Sequence, residues 1–525
     1  MKKLLILGVS ILLFFSATPA IAASVTAAGG ATLCNQTVGV ATNVSAYQTA
    51  NGDCVVEFRN VGSTTWTVPT GVTSITYLVV AGGGGGAGGQ ASEHGGGGGG
   101  AGGVLSGTLS VSPGNISVAV GGGGAGGAGG SSSAGGSSGS NSALAGSVTA
   151  NGGGGGGSYF NAGPATGGSG GGAGNTATTA YLTGANGTAG QGNKGGNVTS
   201  SSTNGRHAAG GGGAGAAGGN TVTSGSVTIT AGAGGDGVTS SITGSTLTYG
   251  GGGGGGGSSA AGGGATGGGA GGAGGGGAGA SYNGTSAIAA TSGGANTGGG
   301  GGGGIGTGGA NGNNGGAGGS GIIIIRYVLA PSNASIPVIS GSAAYGQSLS
   351  TTDGTWSYSP ASYAYQWSRS ATVGGTYTNI SGATSATYTT VAADVGQYLK
   401  VTVTATNTSG SAASTSSATG QISRGSTSVS LTIAAGNFIY RSSKQLTATS
   451  TIQGKATFRA NRESIPGCKN LTLNSSNSFT RVCNYKPSIH GLVVITLIFT
   501  PTDSNIDGSP FVSAAYPVRT RTGTR

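Results

Sequence analysis

Charge is what this chain has least of. Its 525 residues include 9 acids, 20 bases and 3 histidines, so 6% of positions are charged, against roughly 25% in ordinary globular domains. Glycosidase-type hydrolysis needs two convergent carboxylates, and nine acids scattered along the chain do not suggest a pair. No G-x-S-x-G elbow sits between a strand and a helix, no glycine loop ends in G-K-[ST] and no amphipathic helical pattern is present, which removes the common nucleophile and phosphate-binding devices. No C-x-x-C occurs, and no histidine lies near a cysteine pair at zinc spacing. An enzyme is therefore not expected, nor any cofactor or metal. Proline is scarce at 12 residues and glycine does not recur at every third position, which excludes collagen. Bases are not interleaved with stacking aromatics in a recognisable module, which argues against nucleic-acid binding.

Glycine is present in excess: 125 residues, of which 101 fall within 81–320, where they make up 42% of the positions. Before that block stands an export signal. Lys2 and Lys3 precede an apolar run at 4–15, and Ala20-Ile21-Ala22 is a small-x-small cleavage site. Residues 1–22 are thus read as a signal peptide, with secretion or cell-surface display to follow. No later apolar run reaches the ~18 residues of a membrane span. An exported chain meets an oxidising compartment, so the two local pairs, Cys34 with Cys54 and Cys468 with Cys483, are expected as disulfides. Loops of this length contribute about 3 kcal/mol each by chain entropy.

The glycine block has sharp edges. Ser74-Ile75-Thr76-Tyr77-Leu78-Val79-Val80 runs into it, and Ile322-Ile323-Ile324-Ile325-Arg326-Tyr327 follows it. Four consecutive isoleucines left exposed would aggregate, so they read as a central strand buried on both faces and paired with 74–80. Glycine tracts have two outlets: a mobile tangle, or polyproline-II-type helices of three residues per turn and about 3.1 Å rise, which bond outward to neighbours. The strands at both edges anchor the block and favour the bundle, with runs at 95–100, 152–157, 250–257 and 298–304 as rods. Ser/Thr/Asn-rich segments between them suit loops or short hairpins.

Trp66-Thr67-Val68-Pro69-Thr70-Gly71-Val72-Thr73-Ser74-Ile75, the glycine run, Leu109-Ser110-Val111-Ser112-Pro113-Gly114 and the closing Ile-rich strand together resemble the bacterial secreted glycine-rich domain family over roughly residues 50–330. The resemblance implies a β-sandwich carrying packed polyglycine helices, often used to display variable loops, and no activity. Residues 331–423 are richer in aromatics. Tyr365-Gln366-Trp367 followed by Asp394-Val395-Gly396-Gln397-Tyr398 resembles the Ig-like repeats of bacterial surface proteins, with Trp367 and Tyr398 in the core. Lys400 stands where antibody-type domains have their second cysteine, so Leu399, Val401 and Val403 are expected to face inward. Residues 424–525, with Ile465-Pro466-Gly467-Cys468 and Cys483-Asn484-Tyr485-Lys486-Pro487, resemble a second Ig-like repeat family. This unit has 12 bases and 3 acids, so most of the chain's net +11 resides here.

The expected architecture is all-β and multi-domain: a β-sandwich with a polyglycine-II bundle over 23–330, then Ig-like sandwiches over 331–423 and 424–525. Within the glycine block, Glu93-His94 and Arg206-His207 are rare charged interruptions. They read either as ligand contacts at helix ends or as loop residues without a role. Tyr159, Phe160 and Tyr282 read either as stacking platforms for sugars or as plugs at the bundle's edge. The basic C-terminal unit, with Arg519, Arg521 and Arg525, either attaches to an anionic wall polymer or is a solvated face. These features suggest an adhesin-like binding protein with a surface glycan or anionic wall polymer as partner. A structural wall or matrix component is the alternative. Ice binding is disfavoured, since glycine spacing is too irregular for a flat repeating face. No sortase motif is found, so retention would be non-covalent.

Overall fold

The computed structural model describes residues 32–34, 36–37, 44–92, 94–159, 163–175, 183–199, 207–224, 227–258, 267–283, 285–307 and 312–520. The expected export signal at 1–22, and Glu93, Phe160, Arg206, Arg521 and Arg525, lie outside the described residues. The chain divides into two compact units, one ending at Ala330 and one beginning at Pro331. Among the described residues regular structure is strand, apart from short 3-10 turns.

In the first unit the isoleucine run behaves as expected. Ile322–Tyr327 lies between Cys54–Phe58 and Ser74–Val80, antiparallel to both, with Ile323 opposite Phe58 and Val79. Val44–Gln48 and Val104–Ser110 complete the five-stranded sheet at its edges. Ile322 to Ile325 are at most 3% exposed, and each such side chain contributes roughly 1.5–3 kcal/mol by leaving water. Successive residues of a strand face opposite sides. Ile322 and Ile324, with Val55, Leu78 and Val80, pack against Ile242 and Tyr249 of the hairpin Val238–Ser240/Leu247–Tyr249. The opposite face meets a four-stranded sheet ordered Val148–Ala150, Ser142–Leu144, Gly114–Val120, Gly62–Val68. Trp66 closes that interface beside Tyr327, with ring centroids 5.4 Å apart. The Cys34–Cys54 disulfide forms, and the Tyr327 hydroxyl donates to the Cys34 carbonyl at 2.8 Å.

The glycine block between Val80 and Ile322 supplies strands to both sheets and packs the rest as polyglycine-II segments. The segment 81–90 shows the rule. Its N–H groups at 81, 84 and 87 donate to 103, 100 and 97; those at 82, 85 and 88 to 140, 137 and 134; those at 83, 86 and 89 to 319, 316 and 313. Period three in the donors matches three residues per turn. Its carbonyls accept in turn from 121–130, 152–157 and 298–304, so six neighbours surround it. The segment 94–103 is enclosed the same way, by 81–90, 151–157, 169–175, 209–212, 253–256 and 298–304. Every run read from the sequence as a rod therefore has its place in this hexagonal array.

Packing this close leaves no room for a side chain at these glycines. A Cβ on Gly82, Gly85 or Gly88 would sit 2.0 Å from a carbonyl oxygen of Gly122, Ala125 or Ala128, and one on Gly83 would sit 2.1 Å from that of Gly299. The obstacle is backbone on every side, so no rotamer change relieves it. Buried apolar side chains within the array are few, as in the contact of Ala173 and Ala209 with Val198.

The second unit holds two sandwiches. In the first, Ile339–Ser340, Ser348–Thr351 and Thr387–Thr389 form one sheet, and Thr378–Asn379, Ser362–Ser370, Tyr398–Asn407 and Gly410–Thr415 the other. Trp367 is fully buried with Leu349, Leu399, Val401 and Ile422, and Val403 is equally inaccessible. The expectation for Tyr398 is corrected. It is half-buried rather than in the core, because alternation that turns Leu399, Val401 and Val403 inward turns Tyr398 and Lys400 the other way. The aromatic partner of Trp367 is the half-buried Tyr388, with ring centroids 5.6 Å apart. Its hydroxyl donates to the fully buried carboxylate of Asp394 at 2.7 Å, and Arg369 bonds the same group at 2.9 Å.

In the second sandwich, Val429–Ile433, Lys444–Ser450 and Thr480–Tyr485 face a larger sheet ordered Phe438–Ile439, Pro510–Arg519, Gly491–Pro501, Gly454–Ala460, Glu463–Ser464. Phe438, Leu446, Phe458, Leu497 and Phe499 fill the interior. The Cys468–Cys483 disulfide staples the two sheets, because Cys483 lies in Thr480–Tyr485 while the Cys468 carbonyl accepts from Phe458 N at 3.0 Å. The two sandwiches are joined where Gly425–Ser426 pairs with Ile506–Asp507 and Tyr345 Oη donates to Asp503 at 2.6 Å. That bond holds the Asp503 carboxyl below its ordinary range.

Candidate functional site

The polyglycine segments have two distinct ends. Segments enter from or pass into sandwich strands at 80/81, 103/104, 120/121, 150/151 and 321/322, and this end is fixed to the sheets. At the opposite, distal end, Gln90 bonds His94 in a tight reversal, Asn175 N donates to Gly95 O, and Ala208 N donates to Gly256 O. Gly95 there bridges to Ile305, and Ser258 pairs with Tyr282.

This layer gathers residues that the sequence scatters. His94 is 7% exposed, and its ring stacks on Tyr159 with centroids 4.2 Å apart. Its Nδ1 lies 2.7 Å from the side-chain oxygen of Asn175, an arrangement in which the imidazole donates. His207 is fully buried and packs against Gly257, where a Cβ would stand 2.7 Å from the ring. Tyr282 is half-buried in its short strand. His94 and His207 are thus held inside the end layer rather than presented at loop tips, because each directly borders a polyglycine segment. Of the sequence candidates, His94 and Tyr159 are brought into contact, while His207 and Tyr282 sit in neighbouring parts of the same end. Glu93, Phe160 and Arg206 fall outside the described residues.

Sequence reasoning missed Asn175 and Ser158. Both side chains are buried, and Asn175 Nδ2 and Ser158 Oγ have no hydrogen-bond partner among the described residues. The available signal was the same as for His94: each ends a glycine run. The distal layer therefore offers stacked aromatic faces, an imidazole and amide and hydroxyl donors, the chemistry that recognises polar, uncharged ligands. Among the described residues no three His, Cys, Asp or Glu side chains converge as a metal site.

Ionisable groups cluster elsewhere, beneath the hairpin that covers the main sheet. Glu57 is 4% exposed and accepts from Tyr47 Oη at 2.8 Å, with Arg59 also bonded to it. Burial, with Glu57 nearby, pushes the Tyr249 hydroxyl up to about 12 and raises Tyr47 as well. The Tyr47 hydroxyl also reaches the Thr243 carbonyl at 3.3 Å, so this group fastens the hairpin and is structural.

No curated protein gives a significant match to the chain. A period-three array of glycine segments, opened from and closed into one β-sandwich, is accompanied by a family match over residues 59–328, just over half of the chain, and the protein belongs to the glycine-rich domain family.

Proposed function

We propose that this is an exported, non-enzymatic binding protein of adhesin type, which presents the distal end of its polyglycine bundle to a surface glycan. The observation that carries this reading is the division of labour within the bundle. Its interior is main chain with few and mostly small side chains, and both histidines of the glycine block, with Tyr159, Asn175 and Tyr282, lie at the end away from the sandwich. A rigid array fixes such groups without ordering cost on binding. In sequence, the Thr-rich stretch 176–182 directly follows Asn175 and the Ser-rich stretch 200–206 directly precedes His207. The two C-terminal sandwiches, read as Ig-like, serve as spacers.

The test is retention of the mature chain on intact cells, wall preparations and immobilised glycans, compared with His94→Ala/Tyr159→Ala and with a chain whose 200–206 stretch is replaced by Gly-Ser. Salt-insensitive retention on one glycan, lost in the variants while thermal unfolding is unchanged, supports the reading. Equal retention of all forms refutes it. A structural role in a wall or matrix is the second reading, favoured by the saturation of backbone hydrogen bonds in the bundle and the burial of His94 and His207. It expects the substitutions to be silent.

A further inference from the structure

The positive charge of the C-terminal sandwich is not spread evenly. Three chain segments meet at one corner. Phe438–Ile439 pairs in parallel with Val518 and Arg519, Tyr440 N donates to the Arg519 carbonyl, and Arg441 N donates to the Pro487 carbonyl. The corner thereby collects Arg441, Lys486, His490 and Arg519, all exposed. Tyr440 organises it. The His490 ring stacks on Tyr440 with centroids 4.1 Å apart, and the Arg441 guanidinium lies 5.1 Å from the centre of the same ring. None of these four basic residues has an ion pair with a carboxylate among the described residues, whereas Arg424 of the same sandwich is paired with Asp507.

The three carboxylates of this sandwich are all remote. Asp503 and Asp507 follow the far end of Gly491–Pro501, a strand that begins next to His490 and spans about 35 Å at the usual rise. Glu463 lies in the strand at the opposite edge of the sheet from Phe438–Ile439. The backbone points the same way. Arg441 has φ of 57°, a left-handed conformation that glycine or asparagine adopts more cheaply than arginine. A planar guanidinium held by a ring suits bidentate capture of phosphate or carboxylate.

We propose that this corner is a recognition site for an anionic surface glycopolymer, one whose phosphodiester or carboxylate group repeats along the chain, and that it retains the protein at that surface. The proposal does not depend on the distal end of the bundle binding anything. It differs from attraction by net charge in being local: four residues on three segments, arranged around Tyr440.

The test uses the full mature chain with immobilised poly(glycerol phosphate), polygalacturonate, neutral dextran and duplex DNA, at rising salt. The variant Arg441→Gln/Lys486→Gln/His490→Gln/Arg519→Gln is compared with Lys455→Gln/Arg462→Gln/Lys469→Gln/Arg481→Gln, drawn from elsewhere on the same sandwich, each checked for unchanged thermal unfolding. The first set should weaken binding to one anionic glycopolymer at least tenfold and flatten its salt dependence, with the second set within about threefold of the parent. Tyr440→Leu, which keeps all charges, should weaken it severalfold. Which of the two glycopolymers binds identifies the anion. Equal losses in the two sets, no binding to either glycopolymer, or tighter binding to DNA would overturn the proposal.

Discussion

The polyglycine bundle and the sandwich that carries it both have dry interiors, but they are built from opposite materials. In the sandwich the centre is side chain: Ile322 to Ile325 and their neighbours leave water and interlock. In the bundle the centre is main chain: segments 81–90 and 94–103 are each enclosed by six others through hydrogen bonds of 2.8 to 3.2 Å. A side-chain core tolerates exchange among apolar residues of similar volume. A backbone core does not, since the nearest atom to a Cβ added at any glycine of 82–89 is another segment's backbone at about 2 Å. Specificity therefore lies in the absence of side chains, and an ordered interior does not require hydrophobic ones.

The sharpest way to break this comparison is to put one methyl group into each interior. Gly85→Ala places a Cβ 2.0 Å from the Ala125 carbonyl, and separating the segments breaks several hydrogen bonds together. We expect a loss of at least about 3 kcal/mol, beyond the usual range for overpacking, measured by chemical denaturation of the first unit. Gly374→Ala, at a position with nothing within 4 Å, should change stability by less than about 0.5 kcal/mol. In the sandwich, Ile324→Ala should cost about 2–5 kcal/mol and Ile324→Val about 0.5–1.5, a graded response that the bundle lacks. Next in size, reducing Cys468–Cys483 should lower stability by about 3 kcal/mol in the second unit and leave the bundle's transition unmoved.

The smallest effect concerns pH. Tyr47 and Tyr249 have raised hydroxyl pKa values because burial disfavours the phenolate. The unfolded chain ionises near the ordinary tyrosine value of about 10, so the stability from these neutral hydroxyls is complete below that pH and falls as pH climbs toward 12. Tyr249→Phe should blunt the alkaline loss in the first unit, as read from unfolding midpoints between about pH 9 and 12. The bundle contains few titrating groups, and amide exchange of glycines in 81–90 should stay as slow as that of the isoleucine strand until the sandwich itself opens.

Much of this was open to reading in advance, for a physical reason in each case. Ile322 to Ile325 could only be a central strand, since no exposed setting suits them. The rods were legible because polyglycine has no side-chain interactions and one extended helix that bonds only to neighbours. The two disulfides followed from the expectation of export and from cysteines close in sequence. Tyr398 was misplaced because the D-x-G-x-Y pattern does not specify which parity of the strand faces inward; Leu399 and Val401 decide that. The distal layer was half visible. Interruptions of glycine runs marked His94, Tyr159 and His207 as segment ends, but Asn175 looks no different from other asparagines until it is seen 2.7 Å from an imidazole 81 positions away. The basic corner was hidden likewise, with only the net charge of 424–525 on view.

The sequence by itself determined the materials: strands where β-branched residues run, backbone-only packing where glycine dominates, two cross-links and an uneven distribution of charge. Those are local properties, set by side-chain volume, propensity and short-range spacing. Only the tertiary structure decided which segments neighbour which, because polyglycine segments are chemically alike and carry no side-chain code for their partners. Their addresses come from the sandwich strands and hairpins that join them. The same folding decided which residues share the distal end and which bases share the corner at Tyr440, since both are assemblies of positions remote along the chain.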